Sequence, residues 1–169
     1  IRSMTCLRAA EQLPIGIQLY TVRELAGKDF KGTLRKVREI GYPAFEFAGF
    51  GGMDASGINS FLNDISAVSC GSHEGFEALE QDLEGRISFN RLIGSPIMVV
   101  PSMPGKYREG SAADVVDFAG RLDRMGKDVR DAGMNFCYHN HSFEFEAKGG
   151  KTIFDLIFEN SDPVRVQLE

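Results

Sequence analysis

Helical stretches in this chain end three times on the same punctuation. Ile40-Gly41-Tyr42-Pro43, Ile93-Gly94-Ser95-Pro96 and Ala132-Gly133-Met134-Asn135 each put glycine where a helix stops and an apolar run begins. Glycine takes the left-handed conformation that closes a helix, and in the first two cases proline then bars its continuation. Between these marks, apolar steps of three and four residues predict helices over Phe30–Ile40, Ser56–Ile65, Phe76–Ile93, Ala112–Ala132 and Ile153–Glu159. The last but one shows the period clearly, in Val115, Phe118, Ala119, Leu122, Met125, Val129 and Ala132, with Ser111 and Asp114 set as a capping box. Strands are predicted over Ile15–Tyr20, Ala44–Ala48, Ala67–Ser72, Ile97–Val100, Asn135–His139 and Val164–Leu168. Strand and helix alternating in this way imply right-handed crossovers and a parallel sheet. One domain over 15–169, preceded by an extension over 1–14, accounts for the whole pattern.

The faces of the strands separate a barrel from an open doubly wound sheet. Alternate residues of a strand point to opposite sides. Phe45 and Phe47 oppose Ala44, Glu46 and Ala48; Phe136 and Tyr138 oppose Cys137, His139 and His141. Val68 and Cys70 oppose Ser69, Gly71 and His73, and Val164, Val166 and Leu168 oppose Arg165, Gln167 and Glu169. One face is bulky and apolar while the other mixes small and polar residues. A doubly wound sheet is covered on both sides and needs two apolar faces. A (β/α)8 TIM barrel has helices outside only, with an active site at the strand C-terminal ends. Such a barrel takes about 250 residues. With 169 residues, this α/β chain is expected to hold about the first six strands.

Composition narrows the partners. With 43% hydrophobic and 25% charged residues the chain has material for a real core and is not disordered. A net charge of −5 argues against nucleic acid, whose phosphates call for basic surfaces. The longest apolar run, Ile97–Pro101, is far short of the roughly 20 residues that span a bilayer, so no membrane partner is expected. Cys6, Cys70 and Cys137 have neither CxxC spacing nor an even count and read as reduced thiols. Ile1–Glu11 lacks an apolar signal core, which makes the cytoplasm the expected compartment.

Inward polar residues at strand C-terminal ends are the candidates for chemistry. In Tyr138-His139-Asn140-His141, two histidines at i and i+2 share a strand face and can approach one divalent ion. Glu46, among small residues on the inner face, needs a cation, a metal or a substrate hydroxyl, or else an internal partner such as Arg165. His73 closes Gly71-Ser72-His73 and can serve as acid or base. Gln18 and Tyr20 are placed to line the cavity, and Glu144 and Glu146 follow the histidine pair. Gly49-Phe50-Gly51-Gly52 lacks both GxGxxG spacing and a Walker lysine and reads as a flexible loop. Lys106, Tyr107 and Arg108 read as a solvated loop rather than an anion site.

These motifs resemble the xylose isomerase-like (sugar phosphate isomerase/epimerase) family of TIM barrels. The resemblance is carried by Ile15-Gly16-Ile17-Gln18-Leu19-Tyr20-Thr21-Val22-Arg23, Gly41-Tyr42 with Phe45-Glu46-Phe47-Ala48-Gly49, Gly71-Ser72-His73, Val99-Val100-Pro101 and Tyr138-His139-Asn140-His141-Ser142-Phe143-Glu144-Phe145. It implies a divalent metal (Mn, Mg, Co or Zn) at the C-terminal mouth, and isomerisation or epimerisation of a sugar or sugar phosphate through an enediolate. In that scheme Glu46 and His73 are catalytic, Gln18, Tyr20 and Glu144 bind substrate, and His139 and His141 hold metal. A keto-sugar lyase or dehydratase, or a non-catalytic sugar-binding barrel, are the alternatives. Many members place Glu at the fifth-strand metal position, so His139, His141 or Glu144 fills it here. The remaining ligands are expected after Glu169; a protein ending there is expected to be inactive and to associate through its open strand edges.

Overall fold

The computed structural model describes residues 15–169; Cys6 and the extension over 1–14 lie outside the described residues. Six parallel strands form one sheet, each paired with the next of them along the chain. These are β1 (Gly16–Gln18), β2 (Ala44–Phe47), β3 (Val68–His73), β4 (Ile97–Val100), β5 (Asn135–Tyr138) and β8 (Gln167–Leu168). The helices between them are α1 (Arg23–Ala26), α2 (Phe30–Ile40), α3 (Ala55–Asp64), α4 (Phe76–Leu92), α5 (Gly105–Arg108), α6 (Ala112–Asp131) and α7 (Ile153–Glu159). Sequential neighbours in a curved parallel sheet with helices on one side are the first six strands of a barrel.

The punctuation works as its chemistry requires. Gly41, Gly94 and Gly133 have φ of +124°, +70° and +86°, and Gly41 N–H closes α2 on the carbonyls of Arg38 and Val37. The capping box of α6 is present, with the Ser111 side chain accepting from Asp114 N–H and the Asp114 carboxylate accepting from Ser111 N–H.

Most of the apolar strand residues are sealed, while Val68 and Leu168 stay exposed. Phe45 and Phe47 pack with Leu34, Val37, Ile58 and Phe61 of α2 and α3. Phe136, Tyr138 and Val166 pack with Phe76, Phe118 and Leu122 of α4 and α6. Each buried side chain of this size contributes about 1.5–3 kcal/mol relative to exposure, so the helix side of the sheet is where the fold is held.

Several details depart from the sequence reading, among them a last strand reduced from Val164–Leu168 to Gln167–Leu168. Leu19–Val22 is a 3-10 turn, so β1 stops at Gln18 and Tyr20 stands above the strand rather than on it. Helix α4 is broken at Asp82 (φ −152°, ψ 67°), whose Oδ1 accepts from Gly85 N–H at 2.9 Å. A short acidic side chain that can cap its own backbone competes with helix continuation. Between β5 and α7 a small hairpin appears, β6 (Ala147–Lys148) against β7 (Lys151–Thr152), turned by Gly149 and Gly150 at positive φ.

A polar cluster is buried between β3 and α4. Glu74 accepts from Asn90 Nδ2 at 2.6 Å and from Arg86 Nε at 2.7 Å, while Ser72 Oγ donates to Asn90 Oδ1. Burial pushes the Glu74 carboxyl above its ordinary 4.5, against the pull of Asn90 and Arg86. A raised folded-state value means that the native protein holds this proton longer than the unfolded chain. The stability it brings is complete below the unfolded value and is lost as pH rises through the folded one. Glu74→Gln is therefore expected to flatten the stability curve just above pH 4.5, at the cost of one of the accepted hydrogen bonds because the amide nitrogen cannot accept, as urea titrations across that range will show.

Candidate active site

The inner face of the sheet gathers the polar residues at its C-terminal end. Gln18 ends β1, Glu46 lies opposite it on β2, His73 ends β3, and His139 follows β5. Glu169 follows β8, where its N–H extends the ladder by donating to Tyr138 O. The approach to β8 is anchored from α6, since Asp123 accepts from both Asp162 N–H and Arg165 Nη1 at 2.8 Å. Arg165 is thus committed to Asp123 and is not the partner of Glu46.

A bulge in β3 decides what faces inward there. Phe45 pairs with Ser69 and Glu46 with Gly71, so Cys70 is an extra residue. Ser69 and Ser72 are buried, and Ser72 reaches Asn90 of α4. Cys70 lies on the inner side instead, its thiol pushed up by burial and by the Glu46 carboxylate. The sequence assignment of Cys70 to the helix-facing side and Ser69 to the inner side is corrected by this one inserted residue. Cys137 shares the inner face, its thiol raised to about 11 by burial, then by Glu169 and Glu46. Neither thiol is primed as a nucleophile.

Around His73 the geometry is tight. Its Nε2 lies 2.8 Å from Glu46 Oε1, 3.3 Å from Gln18 Nε2 and 3.8 Å from Glu169 Oε2. Gln18 Nε2 also donates to Glu46 Oε1 at 3.0 Å. Burial would raise the Glu46 carboxyl, but hydrogen bonds from His73, Glu169 and Gln18 outweigh it and bring it down to about 2. Glu169 moves the opposite way, raised by burial and by the neighbouring Glu46. Two carboxylates in one site cannot both ionise freely, so the Glu46 carboxyl is held low while that of Glu169 is pushed up.

His73, His139 and Glu169 each bring one ligand atom to within 4.8 Å of the others. His139 Nδ1 is 3.0 Å from Glu169 Oε2. Ligands about 2.0–2.2 Å from a divalent ion stand roughly 3.0–3.5 Å apart, and imidazole with carboxylate is a donor set that such ions accept. The residues present therefore fit a divalent metal. His141 is not in this group: the strand ends at Tyr138, and although its ring meets that of His139 edge-on, it does not join the three donor atoms. Its backbone N–H donates to Glu144 Oε2 at 2.7 Å, and its ring stacks on Phe143.

A cavity of about 220 Å³ opens above, lined by Gln18, Tyr20, His73, Ser102, His139 and His141. Glu144 does not reach it. That carboxylate is fully buried and spent internally, accepting from Tyr138 Oη at 2.6 Å and from His141 N–H. It fixes the loop after β5 rather than touching a ligand. Glu169 was missed as a site residue, although its parity with Gln167 and its position at a strand end were legible. Lys106 and Arg108 approach Glu80 and Glu146 at 3.8 Å, but Tyr107 between them is buried against Phe76 and Phe118, so the expected solvated loop is instead the packed helical turn α5.

No protein-family model and no curated protein sequence matches the chain. Solved structures do. Two structures of a sugar phosphate isomerase/epimerase from Parabacteroides distasonis ATCC 8503 align with TM-scores of 0.75 at 21% and 23% identity. The alignments cover 95% and 92% of this chain, which spans 66% and 67% of those proteins' length. A xylose isomerase-like TIM barrel protein from Mycobacterium smegmatis in complex with magnesium aligns with a TM-score of 0.60 at 13% identity, over 96% of this chain and 66% of that one. Among the described residues no helix is long and apolar enough to cross a membrane. The six parallel strands with their helices outside are thus a partial TIM barrel, similar in fold to these sugar phosphate isomerase/epimerase and xylose isomerase-like barrels.

Proposed function

We propose that this face binds a divalent metal and a small carbohydrate, as a metal-dependent isomerase or epimerase of a sugar or sugar phosphate. The observation that carries the reading is the convergence of an ionised Glu46 with the His73, His139 and Glu169 donor atoms at the C-terminal ends of four strands. Active sites of TIM barrels lie at this end. A divalent ion at the three donors supplies polarisation of a substrate carbonyl, which acidifies the neighbouring carbon.

The protein's own groups do the rest. His73 Nε2 serves one partner at a time: as an N–H it donates to Glu46, and as a lone pair it is a ligand atom. In the ligand role it frees the Glu46 oxygen, an ionised carboxylate that can take the proton next to the carbonyl and return it to the adjacent carbon through an enediolate. Gln18, Tyr20 and His141 line the cavity and are placed to hold substrate hydroxyls.

The test is solvent exchange. The protein, loaded with zinc, manganese, cobalt or magnesium, is incubated in D2O with ketoses and their phosphates and followed by proton NMR. Deuterium at the carbon beside the carbonyl, with an epimerised or isomerised product, supports the reading. Loss of water or an alkoxide would mark a lyase instead, and sugar binding without exchange would reduce the protein to a binding barrel.

A further inference from the structure

A second cavity, of about 180 Å³, opens on the same end of the barrel beside the first. Leu19, Arg23, Phe30, Ala48, Gly49 and Gly51 line it, between α1 and the loop that follows β2. Tyr20 connects the two: its ring lines the first cavity, and the Arg23 guanidinium, which lines the second, lies 4.4 Å above that ring. Arg23 Nη1 donates to Tyr20 O at 2.9 Å, which ties the guanidinium to the same turn.

Three observations give this cavity a chemistry. Arg23 has five N–H donors, and among the described residues no carboxylate pairs with it and its hydrogen bond to Tyr20 O is the one it makes. Asp29 and Asp54, which flank the lining residues in sequence, accept from Gly32 N–H and Gly57 N–H as helix caps. Next, the N–H groups of Gly49, Phe50, Gly51 and Gly52 donate no hydrogen bond among the described residues; in this turn it is Met53 N–H that bonds, to Phe50 O. Gly49, at φ +103°, would carry a Cβ that meets nothing within 4 Å, so its backbone is open to an approaching ligand.

The loop is also built rather than loose. Phe50 is wedged against Phe47 and Phe89, with ring centroids 5.3 and 4.5 Å apart. Gly51 sits so close to Phe30 that a Cβ there would overlap the ring. A guanidinium without a carboxylate partner and the unbonded N–H groups of Gly49 and Gly51 meet at one small cavity, the elements of a receptor for a compact oxyanion.

We propose that this second cavity is an anion subsite that takes the phosphate of a phosphorylated sugar whose carbonyl end lies at His73, His139 and Glu169. The proposal rests on the carbohydrate reading above and narrows it from free sugars to sugar phosphates. Arg23 supplies the charge that a Walker lysine would give a phosphate loop, from a neighbouring loop instead.

The probes are inorganic phosphate, a ketose phosphate and its free ketose, each titrated into 15N-labelled protein. The expected result is that the amide signals of residues 49–52 shift with phosphate, and that the ketose phosphate binds more tightly than the ketose. Arg23→Ala weakens phosphate about 10-fold or more, and Arg23→Lys, which keeps the charge but not the planar fork, recovers part of it. Zinc affinity stays unchanged in both. Arg108→Ala, at the other basic turn of this face, leaves phosphate binding as it was. Phosphate affinity unaltered in Arg23→Ala, or lost instead in Arg108→Ala, overturns the subsite while leaving the metal and sugar reading intact. If zinc fails to bind while phosphate still depends on Arg23, the subsite stands and the metal reading falls.

Discussion

Glu169→Gln is expected to lower zinc affinity by more than about 100-fold, beyond the 10–100-fold typical of residues that merely support ligands. The amide that replaces the carboxylate is a weak donor to zinc and cannot balance its charge. His139→Ala is expected to do the same, because its Nδ1 is the partner 3.0 Å from Glu169 Oε2. His141→Ala serves as the contrast. It stands next door, with ring centroids 5.0 Å from His139, yet belongs outside the donor group, and its loss is expected to change affinity less than about threefold. Competition against a chromophoric chelator measures all three, with circular dichroism confirming that the fold is kept. Equal losses in His141→Ala and Glu169→Gln would sink the proposed ligand set.

Phe118→Ala is expected to have the largest effect on stability. The ring is completely buried in α6 and touches Phe76, Tyr107 and Tyr138 with centroids 4.9, 5.2 and 5.7 Å away. It therefore joins α4, the α5 turn, α6 and β5. Truncating a buried Phe costs about 3–5 kcal/mol through lost transfer and cavity terms. Total stability of a domain is about 5–15 kcal/mol, so the variant is expected to lose a large share of its denaturation midpoint in urea. A shift below about 1 kcal/mol would mean that the cluster can collapse around the hole and is not the keystone of this half of the sheet.

Much of the barrel was legible because it is written in features of period two. The opposition of Phe45 and Phe47 to Glu46, and of Phe136 and Tyr138 to Cys137, survives unchanged, since a regular strand leaves no other choice. The glycine stops were legible for a similar reason, being a backbone requirement and not a packing one. Irregular backbone broke the reading. Nothing local to Cys70 announces a bulge, and Asp82 lies inside an otherwise continuous helical pattern. The hairpin at Gly149-Gly150 carried a turn signal too short to stand out between a loop and a helix. The site shows the same division. Glu46 and His73 were found from strand parity and meet at 2.8 Å. His141 and Glu144 lie past the end of β5, where parity no longer applies, and there the competition of buried hydrogen bonds decided their places.

The Cys70 bulge has a further meaning as a phase shift. Ser72 and His73 sit beyond it, one sealed against α4 with Asn90, the other at Glu46. Without the extra residue, Ser69, Gly71, Ser72 and His73 would alternate as an ordinary strand and each would keep its face, since Gly71 already pairs with Glu46 and Ser72 with Phe47. A deletion at position 70 is therefore a one-residue change that the geometry of this strand absorbs, whereas an insertion between Gly71 and Ser72 would turn His73 toward the helices and Ser72 toward the cavity.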